Sequence, residues 1–306
     1  MPPFPSPTAI GIDIGGTKLC AAWVDRTGAI LEHRSEPTSR QPAMLAAQIL
    51  SLLQQLDRPP VAAIGIGVPG RVAPDRRTVL SGGYVDLTGF DLAGRLEQAC
   101  GRPVVLDNDC TMALLGEMAV GGARGEADVA MLTIGTGIGG ALVLNGEIVR
   151  GKAGAGQFGH VTVASPGEPC ACGRRGCVET TSSGSALRRW IAEAGLDPST
   201  TAQELFEREA RGDAAARQVL HAWIGPLRLA IDSIVAAVDP SLVLLGGGLG
   251  EAAHRALRRL PAASPWFQCR VEAAMLGDRA GVIGCALTAL DGASLRGVPE
   301  RAMQGP

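Results

Sequence analysis

Apolar positions in this chain follow two rhythms. Unbroken apolar runs at Thr8 to Ile14, Val61 to Val68, Val129 to Ile134 and Ser241 to Leu245 are bounded by glycine, proline or aspartate and predict buried strands. Other segments place apolar residues three and four apart. Pro42 to Leu56 does so with Met44, Leu45, Ile49, Leu52, Leu53 and Leu56, and Pro59-Pro60 ends that helix. Similar spacing predicts helices from Asp91 to about Cys100, Met112 to Val120, Ala186 to Ala194, Ala202 to Arg211, Glu251 to Leu260 and Gly281 to Leu290. Another is expected over Ala214 to Val238, broken near Gly225-Pro226. Shorter strands are expected at Leu19 to Val24, Ile30 to His33, Val104 to Leu106, Ala141 to Leu144 and Arg270 to Ala273. Pro74-Asp75 marks a hairpin, and Asn145-Gly146 turns the chain into a strand that runs to Arg150. Strands alternating with helices in this way predict a mixed-sheet α/β protein.

Three strands run straight into glycines. The first enters Gly11-Ile-Asp-Ile-Gly-Gly-Thr-Lys18, and apolar residues resume at Leu19, so Gly15 and Gly16 form a tight hairpin between strands. A dinucleotide fingerprint or Walker loop would pass into a helix instead. Backbone N–H groups in such a turn, with Thr17 beside them, are able to hold a phosphate, and Asp13 a hydrated Mg²⁺. An ordinary Gly-Gly hairpin is the alternative. Strand, glycine turn and strand recur at Gly135-Thr-Gly-Ile-Gly-Gly140, with Thr133 and Thr136, and the echo suggests two similar halves. Gly246, Gly247 and Gly248 stand between a strand and a helix, where they admit a flat ligand or phosphates, or simply form a helix-entry turn.

Asp107-Asn108-Asp109 falls between the strand at Val104 and the next helix. Asp107 reads as the helix N-cap. A carboxylate at the mouth of an α/β crevice is placed to take a proton from a hydroxyl nucleophile, which makes Asp109 a candidate base. Further on, Gln157, Gly159 and His160 precede Cys170, Cys172, Cys177 and Glu179. One histidine and three closely spaced cysteines supply the four ligands of a closed tetrahedral zinc site, and Gly173 and Gly176 suit a chain bending around a metal. With four protein ligands there is no place for a catalytic water, so the site is structural, and His160 and Glu179 face something else.

Composition narrows the rest. At 306 residues with a net charge of −2, the chain suggests two soluble domains, and no basic run or aromatic-interleaved patch marks a nucleic-acid surface. The start lacks the features of a signal peptide, and no apolar run approaches a membrane span, so a cytoplasmic protein is expected. Cys20, Cys100, Cys110, Cys269 and Cys285 are scattered as reduced core thiols would be. Lys18 and Lys152 are the only lysines, each beside a glycine-rich motif.

Taken in order, Gly11-Ile-Asp-Ile-Gly-Gly-Thr-Lys18, Asn108-Asp109, Leu132-Thr-Ile-Gly-Thr-Gly-Ile-Gly139, Gly159-His160, the Cys-x-Cys-Gly-x-x-Gly-Cys-x-Glu run to Glu179 and Leu245-Gly-Gly-Gly248 resemble the ROK family of sugar kinases and sugar-responsive repressors. The resemblance implies the two-domain, actin-like and ribonuclease-H-like ATPase fold with a cleft between the domains, here 1–112 with 283–306, and 113–282. It also implies a homodimer. Position by position it makes Gly15, Gly16, Thr17 and Lys18 the first phosphate loop with Asp13 near the metal. Thr133, Gly135, Thr136 and Gly137 become the second loop, and Gly246 to Gly248 the nucleoside contact. Asp109 matches the catalytic base, and Asn108, Gln157, His160 and Glu179 match sugar-binding positions. His160 also matches a zinc ligand with Cys170, Cys172 and Cys177, one ring nitrogen on zinc and the other toward sugar. The implied reaction is transfer of the ATP γ-phosphoryl group to a sugar hydroxyl with Mg²⁺, on a fold held by structural Zn²⁺.

Two departures from the family bear on the sugar. Gln157 stands where glutamate is usual, and Ser81-Gly-Gly-Tyr84 where an Asn-Leu-x-x-Trp-like segment is usual. Glutamine donates as well as accepts, so the hydroxyls it satisfies must differ. The departures keep open a sugar-binding protein without kinase activity. A sugar-responsive regulator is disfavoured, because the first motif begins at Gly11 with no room ahead of it for a helix-turn-helix segment.

Overall fold

The computed structural model describes residues 6–262 and 264–296. In chain order its elements are β1 (Thr8–Ile14), β2 (Lys18–Val24), β3 (Ile30–Pro37), α1 (Pro42–Leu56), β4 (Val61–Val68), β5 (Gly70–Val72), β6 (Val79–Gly82), α2 (Leu92–Cys100), β7 (Val104–Asn108) and α3 (Asp109–Val120). There follow β8 (Val129–Ile134), β9 (Ile138–Leu144), β10 (Glu147–Ile148), α4 (Glu179–Ser182), α5 (Gly184–Glu193), α6 (Ala202–Ala210), α7 (Ala214–Val238), β11 (Leu242–Gly246), α8 (Gly250–Leu257), β12 (Arg270–Ala273) and α9 (Ala280–Arg296).

Over the described residues the chain divides into two units, 6–124 with 150–154 and 279–296, and 125–149 with 155–278. The boundary expected at 112/113 falls inside α3. That helix stays whole with the first unit because it packs directly on α9: a Cβ at Gly116 would lie 2.6 Å from the Ala280 carbonyl oxygen.

The first unit holds a sheet in the order β3-β2-β1-β4-β7, in which β1 to β3 form an antiparallel meander and β4 and β7 run parallel to β1. β3 extends past His33 to Pro37 because it pairs along the whole of β2. Alternation along the central strands separates two cores. Ile10, Ile12, Ile14, Ile64, Ile66 and Val68 share a core with Leu45, Ile49 and Leu53 of α1 and Leu92 and Leu96 of α2. The other face is small, with Ala9, Gly11, Ala63 and Gly65, and it carries α9. There the helix backbone nearly touches the sheet: a Cβ at Gly11 would lie 1.8 Å from the Val282 oxygen, and one at Gly65 would lie 1.9 Å from the Cys285 oxygen.

The second unit repeats the plan with the order β10-β9-β8-β11-β12, again a meander followed by two parallel strands. Its core joins Leu132, Ile134, Val243 and Leu245 to Leu205 and Phe206 of α6 and to α7. α7 runs unbroken through Pro226, contrary to the expected break. Gly225 has no Cβ to press on the proline ring, which relieves part of the steric conflict before proline. By length and composition α7 is apolar enough to cross a membrane, which corrects the expectation that no segment approaches that length. Its apolar face, with Val219, Trp223, Leu227 and Ile231, is buried in this core, and the Trp223 indole donates to the Ser183 carbonyl at 3.2 Å.

Candidate functional site

At the carboxyl edge of the first sheet β1, β4 and β7 end side by side, with Asp13 paired to Gly67 and Gly67 to Asp107. Gly67 keeps that edge open. A Cβ there would lie 3.3 Å from the Asp109 Cα, 3.3 Å from Cys285 Sγ and 3.6 Å from Asp13 Oδ1, so Asp13 and Asp109 flank one glycine. Gly281 at the start of α9 gives Asp13 room on another side, since a Cβ there would be 2.6 Å from Asp13 Oδ2. The sequence reading passed over Gly67 and Gly281, although a glycine inside a strand is itself a signal of close approach.

Asp109 opens α3, and its Oδ1 accepts from the Cys110 N–H at 2.8 Å and from Asn108 Nδ2 at 2.9 Å. Burial pushes its carboxyl above the usual carboxylate value, against the opposing pull of these donors. Asn108 is the N-cap, its Oδ1 accepting from Cys110 N at 3.0 Å and Thr111 N at 3.1 Å. With the oxygen held by the helix N–H groups, the amide nitrogen must face away, and it donates to the Gly70 carbonyl and Asp109 Oδ1, each at 2.9 Å. The assignment of Asp107 as the cap is therefore corrected. β7 continues through Asn108, so Asp107 is still a strand residue. Its buried carboxylate meets Arg150 at 2.7 Å and Arg76 at 3.5 Å, and accepts the Asn108 N–H at 2.9 Å. Neither arginine was singled out from the sequence, and nothing local to Asp107 points to them.

The turn after β1 is closed by the Gly15 N–H to the Lys18 carbonyl at 3.0 Å, and Thr38 braces it through its hydroxyl to the Gly15 carbonyl at 2.8 Å. The N–H groups of Gly16 and Thr17 at the tip enter neither bond. The Tyr84 ring rests on Gly16, where a Cβ would lie 2.9 Å from it.

The second unit ends its parallel strands in the same way. Thr133 of β8 pairs with Gly246 of β11, and the turn between β8 and β9 is closed by Gly135 N–H to Gly137 O at 3.0 Å. The start of α5 braces this turn: Gly184 N–H donates to Gly135 O at 2.8 Å, and the Ser185 hydroxyl to Thr136 O at 2.9 Å. The N–H groups of Thr136 and Gly137 take part in none of these bonds. Gly247 has φ +76° and lies against the end of β8, where a Cβ would be 2.7 Å from the Ile134 oxygen. Gly248 and Gly135 face open space.

His160 ends a 3₁₀ turn, Phe158–His160, that begins after the half-buried Gln157. Its ligand atom and those of Cys170, Cys172 and Cys177 all lie within 4.8 Å of one another. Cys170 Sγ is 3.5 Å from His160 Nδ1, and Cys172 Sγ is 3.6 Å from Cys177 Sγ. A tetrahedral zinc ion with arms of about 2.0–2.3 Å needs ligand atoms roughly 3.3–3.8 Å apart; the two separations above fall in that range, and the one-histidine, three-cysteine donor set is of the kind such an ion takes. Burial pushes the Cys177 thiol up to about 12, while the Arg174 N–H beside Cys172 brings that thiol down to about 7. A bound cation would hold all three as thiolates. The loop needs its glycines, with φ +86° at Gly173 and +73° at Gly176. Glu179 links the loop to the second turn: its Oε2 accepts the Ile138 N–H at 2.9 Å, and its Oε1 lies 4.0 Å from Cys170 Sγ.

Comparison with known proteins extends this picture. The family model described as the ROK family matches residues 9–291. A glucokinase of Halalkalibacterium halodurans is 31% identical over 307 residues, covering 90% of this chain and 92% of its own. An N-acetylmannosamine kinase of Escherichia fergusonii is 33% identical over 296 residues, covering 92% and 98%. The crystal structure of a ROK family glucokinase from Streptomyces griseus in complex with glucose and AMPPNP has a TM-score of 0.81 at 30% identity, covering 93% of this chain and 99% of that one.

Proposed function

The chain belongs to the ROK family and is a carbohydrate kinase, and from that premise we propose that it transfers the γ-phosphoryl group of ATP to the primary hydroxyl of a hexose or hexose derivative, with Asp109 as general base. Its fold is the actin-like, ribonuclease-H-like ATPase fold. The observation that carries the catalytic assignment is the pair of carboxyls, Asp13 and Asp109, flanking Gly67, with burial raising the second. A raised carboxyl is a stronger base than an exposed one, and its position at a helix start fixes the direction from which it takes the hydroxyl proton.

Each neighbour then has a task. Asn108, committed as a cap, holds Asp109 in place. The tips of the turns at Gly15 to Thr17 and Gly135 to Gly137 offer N–H groups to phosphate oxygens, with Lys18 and Thr133 beside them, and Gly246 to Gly248 let the nucleoside lie against the backbone. Mg²⁺ held through Asp13 would neutralise charge on the phosphoryl oxygens. His160 gives Nδ1 to the zinc cluster and keeps Nε2 for a sugar hydroxyl, and Glu179 keeps Oε1 for another. Zn²⁺ on His160, Cys170, Cys172 and Cys177 would fix the loop that presents these groups. The protein acts in the cytoplasm as a homodimer.

A coupled assay with ATP over hexoses, N-acetylhexosamines, ketoses and polyols tests this reading. The wild type turns over at least one sugar, and Asp109→Asn keeps nucleotide and sugar binding while losing about 10²–10⁴-fold in turnover. Wild-type turnover in Asp109→Asn would sink the assignment. Gln157 and the Gly82-Gly83 pair favour one rival, a sugar-binding protein without turnover. That rival predicts binding of one sugar by thermal shift with ATP consumption stimulated by none.

A further inference from the structure

Residues 150–154 pack with the first unit although the segments on both sides of them belong to the second. This strap is tied down twice. At its start the Arg150 guanidinium meets Asp107 at 2.7 Å, and Asp107 in turn accepts the Asn108 N–H. Farther along, Arg71 donates from NH2 to the Lys152 carbonyl at 2.9 Å and from Nε to the Ala153 carbonyl at 3.0 Å. Gly70, the residue before Arg71, accepts the side-chain amide of Asn108. Both tethers therefore converge on the corner that carries Asn108 and Asp109.

The strap is not in a relaxed conformation. Gly151 has φ +54° and Ala153 φ +64°. The second value is costly for an L-residue with a Cβ and persists only where surrounding contacts impose it. Successive carbonyls here reach one guanidinium, and a planar fork is the group able to take both; a lysine ammonium lacks that geometry. Arg71 is an exposed side chain, yet its donors go to backbone 81 and 82 residues away in sequence. Three residues past the strap comes Gln157.

Building on the kinase reading above, we propose that Arg71 is a positioning residue for the acceptor sugar: it holds 150–154, with Gly151 and Ala153 at positive φ, against the Asn108–Asp109 corner, so that the sugar meets a wall already set before it binds. Nucleotide binding does not depend on it.

Lys18 and Lys152 are the only lysines and both are exposed, so a lysine-specific endoproteinase acting on the native protein reads the strap directly, with Lys18 as the internal reference. In Arg71→Ala, cleavage after Lys152 accelerates about tenfold or more relative to Lys18, because the strap opens more often. On the sugar the wild type uses best, KM for sugar rises about tenfold or more while KM for nucleotide stays within about twofold. Arg71→Lys does not restore either value. Ala153→Gly added to Arg71→Ala moves both back toward wild type, because glycine takes positive φ without help. Unchanged cleavage after Lys152, an unchanged sugar KM, equal rises for both substrates or no recovery with Ala153→Gly would each overturn the proposal. Digestion needs no turnover, so a wild type that phosphorylates no sugar would fail the kinase reading and not the anchoring of the strap; sugar affinity by thermal shift then replaces KM.

Discussion

Burial raises the Asp109 carboxyl above its ordinary value, so its surroundings oppose the charged form. The native state binds its proton more tightly than the unfolded chain does. Its stabilising contribution is therefore complete below the ordinary value of about 3.9 and is lost as pH rises through the raised native value. Asp109→Asn is expected to melt at a higher temperature than wild type at pH 7, with the gap closing toward pH 4, as calorimetry would reveal. For the same reason the acid limb of kcat/KM should lie above the ordinary aspartate value. Gln157→Glu belongs to the same scale: it replaces a donor-acceptor with an acceptor and should reorder kcat/KM across the sugar panel, and an unchanged order would mean that residue 157 does not read the sugar. The place of Asn108 and Asp109, where a strand end and a helix start meet in adjacent residues, was legible in the sequence. Asp107 was misread because three neighbouring side chains are all competent caps, and only the length of β7 decides among them. Gly67, a glycine inside a strand, was a local signal passed over, whereas Arg71, Arg76 and Arg150 act across sequence distances that no local pattern reveals.

Elements divide along the same line. The cluster of His160 with Cys170, Cys172 and Cys177 was legible because its donors are packed into a few residues, and a metal held by that closed set would be part of the folding free energy. Elemental analysis should find one zinc per chain, and chelation should lower the melting temperature by on the order of 10 °C, with sugar affinity falling alongside it. An unchanged melting temperature after complete removal of the metal would contradict a structural role. α9 was legible as a helix, whereas the purpose of its glycines was not. A Cβ at Gly284 would lie 1.7 Å from the Met112 carbonyl oxygen, a backbone atom that has nowhere to go. Gly284→Ala is expected to cost about 3 kcal/mol in denaturant unfolding, by forcing α3 and α9 apart. The continuity of α7 was hidden because an interior proline usually breaks a helix, whereas here buried apolar residues on both sides of Pro226, Trp223 and Ile224 before it and Leu227 and Ala230 after it, hold the helix together.

For the whole molecule, the echo of Ile-Gly-Gly-Thr in Ile-Gly-Thr-Gly pointed to two similar halves, and the two sheets do share one strand order, each ending its first hairpin in a glycine turn. The division of the chain was harder to read, because a five-residue strap and a helix far from the N-terminal segment join the first unit only through contacts distant in sequence. That helix has a consequence for the order of events during synthesis. β1 and β4 emerge from the ribosome early, but the small-residue face they share stays bare until α9 is made, and Ala9, Ala22 and Ala63 find Val282, Ala286 and Leu290 only then. The core of the second unit is complete once β12 has appeared. A nascent chain stalled before α9 emerges should therefore show protease resistance in 125–149 and 155–278 while 6–124 is still digested, the later-made half maturing first.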